Sequence, residues 1–333
     1  YEFLKKLNIL NPPEKFFWSC SEIKLFDSLN GLNFKETLNM NNRFIPKKNM
    51  LYIIKNEEVI RCLKEIIRAN ENITIKNKPK VLNLANFINK KNIIKYNLVV
   101  VCTGPESNLA KKYLSRKYFD YSYDETSITA IISHKSIKNL IARQFFLDEG
   151  PLAFLPLSNT ETSIVWSIKN KILKDEKNLK SFLNKKLKEI SCKFLQNLKI
   201  RSKIESKHLN FQISQKYYFH RVLFFGDILH LVHPIAGQGF NMLLRDLVNL
   251  EKLLKDKILL GLDIGSSDIL SEFYNLRKTN NLIHSFGIDF VRNIFSYQKK
   301  SFRYFRNKTL NHLNQNKLAK KIFVNIADTG INL

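Results

Sequence analysis

Between Arg221 and Leu254 the chain reads RVLFFGDILHLVHPIAGQGFNMLLRDLVNLEKLL, and its chemistry-bearing residues stand close together. Gly226 and Asp227 end an apolar strand; His230 and His233 follow, then Pro234, Gly237, Gly239 and Asn241. An aspartate at the carboxyl end of a strand in an open α/β sheet is placed to accept hydrogen bonds from ligand hydroxyls. Pro234 fixes the loop and removes a backbone donor. Gly237 and Gly239 permit positive φ and a close approach of backbone to a ligand. The first N–H groups of the helix that follows are unpaired and lie at the positive end of its dipole. An electron-rich or anionic group belongs at that point.

Other readings of these residues compete. Asp227, His230 and His233 are spaced i, i+3, i+6, which suggests metal ligands on one helix face. The strand before them and the proline after His233 argue against a continuous helix, and no further ligand stands nearby, so no metal is expected. His230 also reads as an ordinary loop residue. The glycines could form only a tight connection, but two glycines, a proline and Asn241 in one short loop fit a ligand cradle better.

The elements that must position this loop follow from periodicity. VLFF is the apolar strand before it, and Phe240, Leu243, Leu244, Leu247, Leu250 and Leu254 mark the expected buried side of the helix after it. Tyr1 to Leu10 has helical spacing and stops at Asn11-Pro12-Pro13. Trp18 to about Ile53 alternates like short strands. Glu57–Asn70 reads as an amphipathic helix on Val59, Ile60, Leu63, Ile66 and Ile67, followed by a short strand over 73–77. NLVVVCTG at 97–104 is a continuous apolar run, as in a parallel strand covered on both faces. Ser122 to Ser167 alternates as antiparallel strands, Asp175–Leu195 is a lysine-rich helix, and helical patterns fill Ile269–Asn280 and much of 283–325. β/α units at about 56–112 and 221–260 are thus interrupted by a β-rich block. A nucleotide-binding domain with an inserted sheet domain fits that order.

Composition narrows the class. Of 333 residues, 44% are hydrophobic, enough for a substantial core. No apolar run reaches the roughly 18 residues of a membrane span, and Tyr1 to Asn11 is a charged helical pattern rather than a secretory signal. Cys20, Cys62, Cys102 and Cys192 are scattered, which suits a reducing compartment. The net charge of +26 raises a nucleic-acid partner or an anionic membrane surface. The lysines are spread along the whole chain, so most read as solvated surface. Lys299–Lys321 is denser, mixing basic and aromatic residues, and could bind phosphates or lie on lipid headgroups. No nucleic-acid motif is present, and no nucleic-acid partner is expected.

The loop resembles the flavin-dependent aromatic hydroxylases, most closely their ubiquinone-biosynthesis branch (2-polyprenyl-6-methoxyphenol hydroxylase-like). The pattern is carried by Gly226-Asp227, His230, Pro234, Gly237, Gly239, Asn241 and Asp246, with the tighter run His233-Pro234-Ile235-Ala236-Gly237-Gln238-Gly239-Phe240-Asn241. A second match is Gly150-Pro151-Leu152-Ala153-Phe154-Leu155-Pro156, fifteen residues ahead of Val165-Trp166. Together with the order of elements, the resemblance covers nearly the whole chain. It implies an α/β fold: an FAD-binding domain of the glutathione-reductase type with an inserted mixed or antiparallel sheet domain and a helical C-terminal region. The implied division is 1–17 and 54–114 with 221–260 for FAD, 18–53 and 115–220 for substrate, and 261–333 helical.

The resemblance also implies FAD as cofactor, with NAD(P)H reducing it and O2 consumed to hydroxylate a polyprenylated phenol. The cofactor carries the hard chemistry and the protein positions it; no titratable catalytic residue is singled out. Gly226 and Asp227 are implied at the ribityl or pyrophosphate portion. Pro234, Gly237, Gln238, Gly239, Phe240 and Asn241 wrap the isoalloxazine ring, with the Gly239–Asn241 amides at its N1–C2=O edge. A lipid substrate gives the positive charge a use at an anionic membrane surface, so a cytoplasmic protein, peripheral at the inner membrane face, is expected. Other ubiquinone-biosynthesis proteins are possible partners. Three departures stand out. The fingerprint G-x-G-x-x-G is absent, and that first βαβ unit is expected ahead of Tyr1. Thr103 stands where the family usually has the Asp of an Asp-Gly pair, and Leu243 where it commonly has glycine. An inactive remnant lacking the ADP-binding unit is the alternative reading.

Overall fold

In a computed structural model the described residues are 2–6, 16–30, 33–41, 49–76, 96–107, 113–114, 117–297, 300–316 and 318. The expected stop at Asn11-Pro12-Pro13, and Lys299, Lys317 and Ala319–Lys321 of the basic stretch, lie outside them. Around residue 100 a small sheet forms from three strands, β5 (Val99–Val101), β12 (Tyr218–Phe219) and β13 (Val222–Phe224). β5 and β13 run parallel, Val101 opposite Phe224, so their carboxyl ends emerge side by side. Apolar strands pairing in parallel is what the continuous runs VVV and VLF predict. Cover is less complete than expected on β5, where Val100 is 44% exposed.

The β-rich block builds a nine-stranded sheet. It comprises β2 (Glu22–Asn30), β3 (Asn33–Asn41), β6 (Lys117–Ser133), β7 (Ile141–Phe146), β8 (Pro151–Pro156), β9 (Glu161–Lys169), β10 (Lys199–Ile200), β11 (Glu205–Ser214) and β14 (His230–Leu231). Its order is β14-β11-β6-β9-β8-β7-β2-β3, with β10 on the side of β6. Neighbours are antiparallel except β2 and β7, which are parallel. β1 (Trp18–Cys20) and β4 (Leu51–Ile53) form a separate antiparallel pair. β14 has no counterpart in the sequence pattern: two residues after the Gly226 turn rejoin the large sheet through Ile213 and Gln212 of β11.

Helices pack against both sheets. α1 is Glu2–Lys6, α2 Asn56–Ala69, α3 Asn170–Asp175, α4 Leu179–Ser191, α5 Gln238–Leu259, α6 Ser267–Ser296 and α7 Lys300–Gln315. α4 closes the large-sheet core, placing Leu183, Leu187 and Ile190 with Ile128, Ile164 and Trp166. α5 and α6 cover the small sheet, placing Leu250, Leu253, Leu270 and Phe273 beside Val222 to Phe225.

Several expectations are corrected. Residues 73–76 form no strand: Ile73 bonds back to Asn70 in a turn, and both isoleucines are exposed. The lysine-rich helix expected over Asp175–Leu195 is shorter: α3 ends at Asp175, and α4 runs only from Leu179, where Asn178 accepts the Ser181 N–H (3.0 Å) as its cap, to Ser191. In α2 the buried residues are Val59 and Cys62, with Ile60 and Ile66 outside. In α5 the buried side is Met242, Asp246, Leu250 and Leu253, while Phe240 and Leu247 face solvent.

α7 is fastened by charge. Asp27 on β2 is fully buried and accepts a hydrogen bond from Arg306, which also lies 4.9 Å over the Phe295 ring. Arg303 stands 3.7 Å from the same carboxylate. Removing one partner of such a pair leaves an uncompensated buried charge, at a cost of about 3–5 kcal/mol. Asp27→Ala is therefore expected to lower the unfolding free energy by roughly that amount in urea titration. A loss under about 1 kcal/mol, within the range of an ordinary surface change, would show that α7 does not depend on the pair.

Candidate functional site

The parallel ends of β5 and β13 bring two turns together. Phe225 N–H donates to the Val101 carbonyl (3.0 Å), and the chain then enters a 3-10 turn over Gly226–Ile228. Gly226 is at φ +84, a conformation that favours glycine. Asp227 is exposed there. On the neighbouring strand end, Thr103 Oγ1 and Ser107 Oγ are 2.8 Å apart, and Ser107 N–H closes a turn on Gly104. Hydroxyls and a carboxylate at the carboxyl ends of adjacent parallel strands are the donors and acceptors a sugar–phosphate ligand uses.

The second half of the site is the start of α5. Pro234 precedes a 3-10 turn over Ile235–Gly237, and Gly237, at φ +63, is the N-cap of the helix. A Cβ there would meet nothing within 4 Å, so the glycine is required by its left-handed backbone and not by crowding. Gly239 has no positive φ; it lies in the first helical turn with its ideal Cβ position 3.6 Å from Val232 Cγ2, so of the two glycines only Gly237 uses the positive φ that both permit. No side chain caps the helix. Its first amides are open donors with the dipole behind them. Gln238 and Asn241 are partly buried, and Phe240 is 47% exposed at the rim. This surface fits an electron-rich planar ring laid on the helix start.

The histidines do neither of the things their spacing suggested. His230 is buried in β14, its Nε2 2.9 Å from Asp246 Oδ2. His233 is fully buried, its Nε2 2.9 Å from Glu125 Oε2 on β6. Each therefore turns to a different carboxylate. Among the described residues no group of three or more His, Cys, Asp or Glu is placed to hold a metal.

Both carboxylates anchor wider networks. Asp246 also accepts from Arg277 Nε (2.6 Å) and from Asn281 Nδ2 (3.1 Å), and Asn281 reaches the Tyr217 hydroxyl at 3.3 Å. Burial alone would raise Asp246; the His230 hydrogen bond and the Arg277 charge outweigh it and hold the carboxyl below its ordinary range. Glu125 behaves alike: against burial, the His233 hydrogen bond and the Arg292 charge keep it ionised. Ile235 of the loop, Glu125, Gly150, Pro151 and Phe295 line one small cavity, so the two sequence motifs meet. Gly150 is at φ +134, and a Cβ there would lie 1.9 Å from the Ser167 carbonyl oxygen. Its own carbonyl accepts from the Trp166 indole (3.2 Å).

Sequence reasoning placed Gly226, Asp227, Pro234, Gly237, Gln238, Gly239, Phe240 and Asn241 along one surface; the structure sets the last six at the start of α5 and the first two in the turn after β13, where an ideal Cβ on Gly226 would lie 3.5 Å from Leu243 Cδ1 of α5. It missed Glu125, Arg277, Asn281 and Arg292. Asp246 stood in the motif with no role assigned to it; nothing local marked the others.

The family profile described as squalene epoxidase matches residues 95–326. Among curated proteins, "Ubiquinone biosynthesis monooxygenase COQ6, mitochondrial" of Danio rerio is 24% identical over 306 residues, covering 74% of this chain and 61% of that protein. "Ubiquinone hydroxylase UbiL" of Rhodospirillum rubrum is 30% identical over 177 residues, covering 52% of this chain and 41% of its own length. The chain thus spans between two-fifths and about three-fifths of these relatives. In fold it is similar to p-nitrophenol 4-monooxygenase PnpA of Pseudomonas putida, with TM-score 0.74 and 12% identity over 100% of this chain and 86% of that one. It is also similar to a point variant of HpxO of Klebsiella pneumoniae complexed with FAD, with TM-score 0.69 and 10% identity over 98% and 87%.

His284 on α6 gives the networks a pH signature. It sits by Arg245, 3.2 Å from Nη1, and burial first, then the two cations Arg245 and Arg277, push its pKa from 6.5 down to about 4. The unfolded chain takes up the proton first, so this contribution is complete above pH 6.5 and is lost as pH falls toward 4. His233, lowered by burial, acts in the same direction. Unfolding free energy should decline across that window, and His284→Gln, which keeps an acceptor for Arg245 but does not titrate, should flatten the decline. Equal slopes for the two proteins would show that His284 does not contribute.

Proposed function

Because the chain belongs to the squalene epoxidase family, we propose that it is part of an FAD-dependent monooxygenase hydroxylating the ring of a polyprenylated phenol in ubiquinone biosynthesis. NAD(P)H and O2 are the co-substrates. The observation that carries this reading is the open, uncapped start of α5 behind the left-handed Gly237. FAD, when bound, supplies the redox chemistry. The chain's residues bind and orient. The first amides of α5, those of Gly239 and Phe240 among them, and the helix dipole stabilise negative charge on the flavin's pyrimidine edge. Pro234, Gly237, Gln238 and Phe240 flank the ring, and Gly226 and Asp227 take the ribityl or pyrophosphate part. The substrate ring lies on the side of Gly150 and Pro151, which share a cavity with Ile235. Residues 221–260 with 1–17 and 54–114 serve the flavin, 18–53 and 115–220 serve the substrate, and 261–333 brace both. The names of the curated relatives support the pathway.

The inactive remnant is the less favoured reading: the start of α5 stays open, with no side chain capping the amides a ligand would use, and the curated relatives are named as monooxygenases or hydroxylases.

A lipid substrate places the protein at a membrane face. Among the described residues no helix is long and apolar enough to cross a membrane. A peripheral seat on anionic lipid suits the +26 charge, each Lys or Arg near the surface contributing about 1 kcal/mol. The outer face of α7 offers Phe302, Tyr304 and Phe305, the last two 71% and 68% exposed, next to Lys308. Association with other ubiquinone-biosynthesis proteins belongs to the same reading.

The full natural protein, purified with flavin, is expected to speed NAD(P)H oxidation when a prenylated phenol is added and to give a hydroxylated product by mass spectrometry. Gly237→Val should weaken FAD binding at least tenfold, because a β-branched residue resists left-handed backbone and places its methyls where the ring lies. A natural protein that stays colourless after incubation with FAD would overturn the proposal.

A further inference from the structure

The loop that begins at Pro234 is rooted by a buried cluster one residue upstream. His233 turns inward and is fully buried. Its Nε2 meets Glu125 Oε2 at 2.9 Å, while Arg292 Nη2 on α6 donates to Glu125 Oε1 at 2.5 Å. The Tyr123 ring completes the box, edge-on to the His233 ring at 5.1 Å and 4.9 Å beneath the Arg292 guanidinium. Three separate elements, β6, the loop and α6, therefore close on one carboxylate.

The way Glu125 reaches this position is itself informative. On β6 the pairing with β11 slips between Asn210 and Leu209, which face Ser122 and Glu125, so Tyr123 and Asp124 are extra residues in a bulge. Asp124 is held at φ +54, which is strained for a residue with a Cβ. Bulges re-aim side chains next to functional sites, and strain persists where the surroundings over-determine it. Here the bulge delivers Tyr123 and Glu125 to the root of the loop.

The cluster is poorly designed for stability alone. His233 Nδ1 and Arg292 Nε are buried without a partner, and buried unsatisfied groups are each unfavourable by about 1–3 kcal/mol. Buried ion pairs seldom outperform apolar packing. What such a cluster does supply is one fixed geometry. Burial drives His233 toward its neutral form, with Arg292 adding to that and Glu125 and Asp289 opposing it. The neutral imidazole donates through Nε2 to the carboxylate.

We infer that Glu125, His233 and Arg292 are positioning residues that clamp the root of the 234–241 loop to β6 and α6 and so set its grip on the flavin; this rests on reading that loop as the flavin cradle. α6 thereby acts on the loop through its root.

The test measures FAD affinity, the visible spectrum of bound flavin and the thermal midpoint of the flavin-free form, in the full natural protein. Glu125→Gln and His233→Leu are expected to weaken FAD binding at least tenfold, a change of about 1.4 kcal/mol. They should also move the spectrum toward that of free flavin, at temperatures where the variants remain folded. His233→Gln, whose amide nitrogen replaces the Nε2 donor, should restore both readouts. Asp27→Asn serves as the control: it disturbs a buried ion pair that shares no residue with the clamp or the loop and should lower the thermal midpoint while leaving flavin affinity and spectrum unchanged. If Glu125→Gln does not fold, Arg292→Lys carries the same test, loosened binding supporting the clamp. Clamp variants that lose thermal stability but keep the natural affinity and spectrum overturn the inference and leave the cradle standing. A natural protein that binds no FAD overturns the cradle and the clamp together.

Discussion

Three carboxylates are buried among the described residues, and each is held by an arginine from the last two helices. Asp246 on α5 takes Arg277, Glu125 on β6 takes Arg292, and Asp27 on β2 takes Arg306. A buried carboxylate without a cation is prohibitively unfavourable. The register of α6 and α7 along the molecule is therefore set by charge as well as by packing. Arg277 and Arg292 both stand on α6, about four helical turns apart, so that helix cannot slide by one turn without unpairing two acids at once. The small sheet, the bulged strand and the far edge of the large sheet are tied to the same two helices.

That constraint explains the geometry near the loop. Turning Asp246 inward to meet Arg277 and His230 fixes the rotation of α5, and with it the direction in which the first amides of the helix point. Rotation by an apolar stripe alone would put Phe240 and Leu247 inside. The charge network wins, Phe240 is left at the rim, and a large apolar ring becomes available to a ligand where hydrophobic burial alone would have hidden it. A buried polar network rigidifies what it contacts when its members are mostly satisfied, and Asp246, with His230, Arg277 and Asn281 around it, meets that condition.

The parts of the fold written in local pattern were legible in the sequence. Alternation gave the strands from β6 to β9, and the apolar runs at Val99 and Val222 paired in parallel as such runs do. The glycines of the loop marked a backbone of special geometry, and Gly226 and Gly237 adopt positive φ. What was not legible depends on distance along the chain. Glu125 lies 108 residues from His233 and 167 from Arg292, and Asp27 lies 279 from Arg306. No period or cap reports such a pairing, so the histidines looked like loop residues or metal ligands. The later helix start at Asn178 and the missing strand at 73–76 are errors of another kind. There a side-chain cap and a local turn outcompeted a plausible periodic pattern.

The excess positive charge separates by residue type in a way that bears on its origin. Lysines are abundant along the chain, yet none is among the buried residues described; the cations at the three acids are all arginine. Arginine is the more weakly hydrated ion and offers a planar fork, so it satisfies a carboxylate and a backbone or aromatic neighbour at once. Arg292 does this with Glu125 and the Tyr123 carbonyl, and Arg306 with Asp27 and the carbonyl of Ile294. A lysine ammonium at either place would keep the charge and lose the second contact. Lysine content is thus free to drift or to serve an anionic surface outside, while the internal arginines are constrained by geometry.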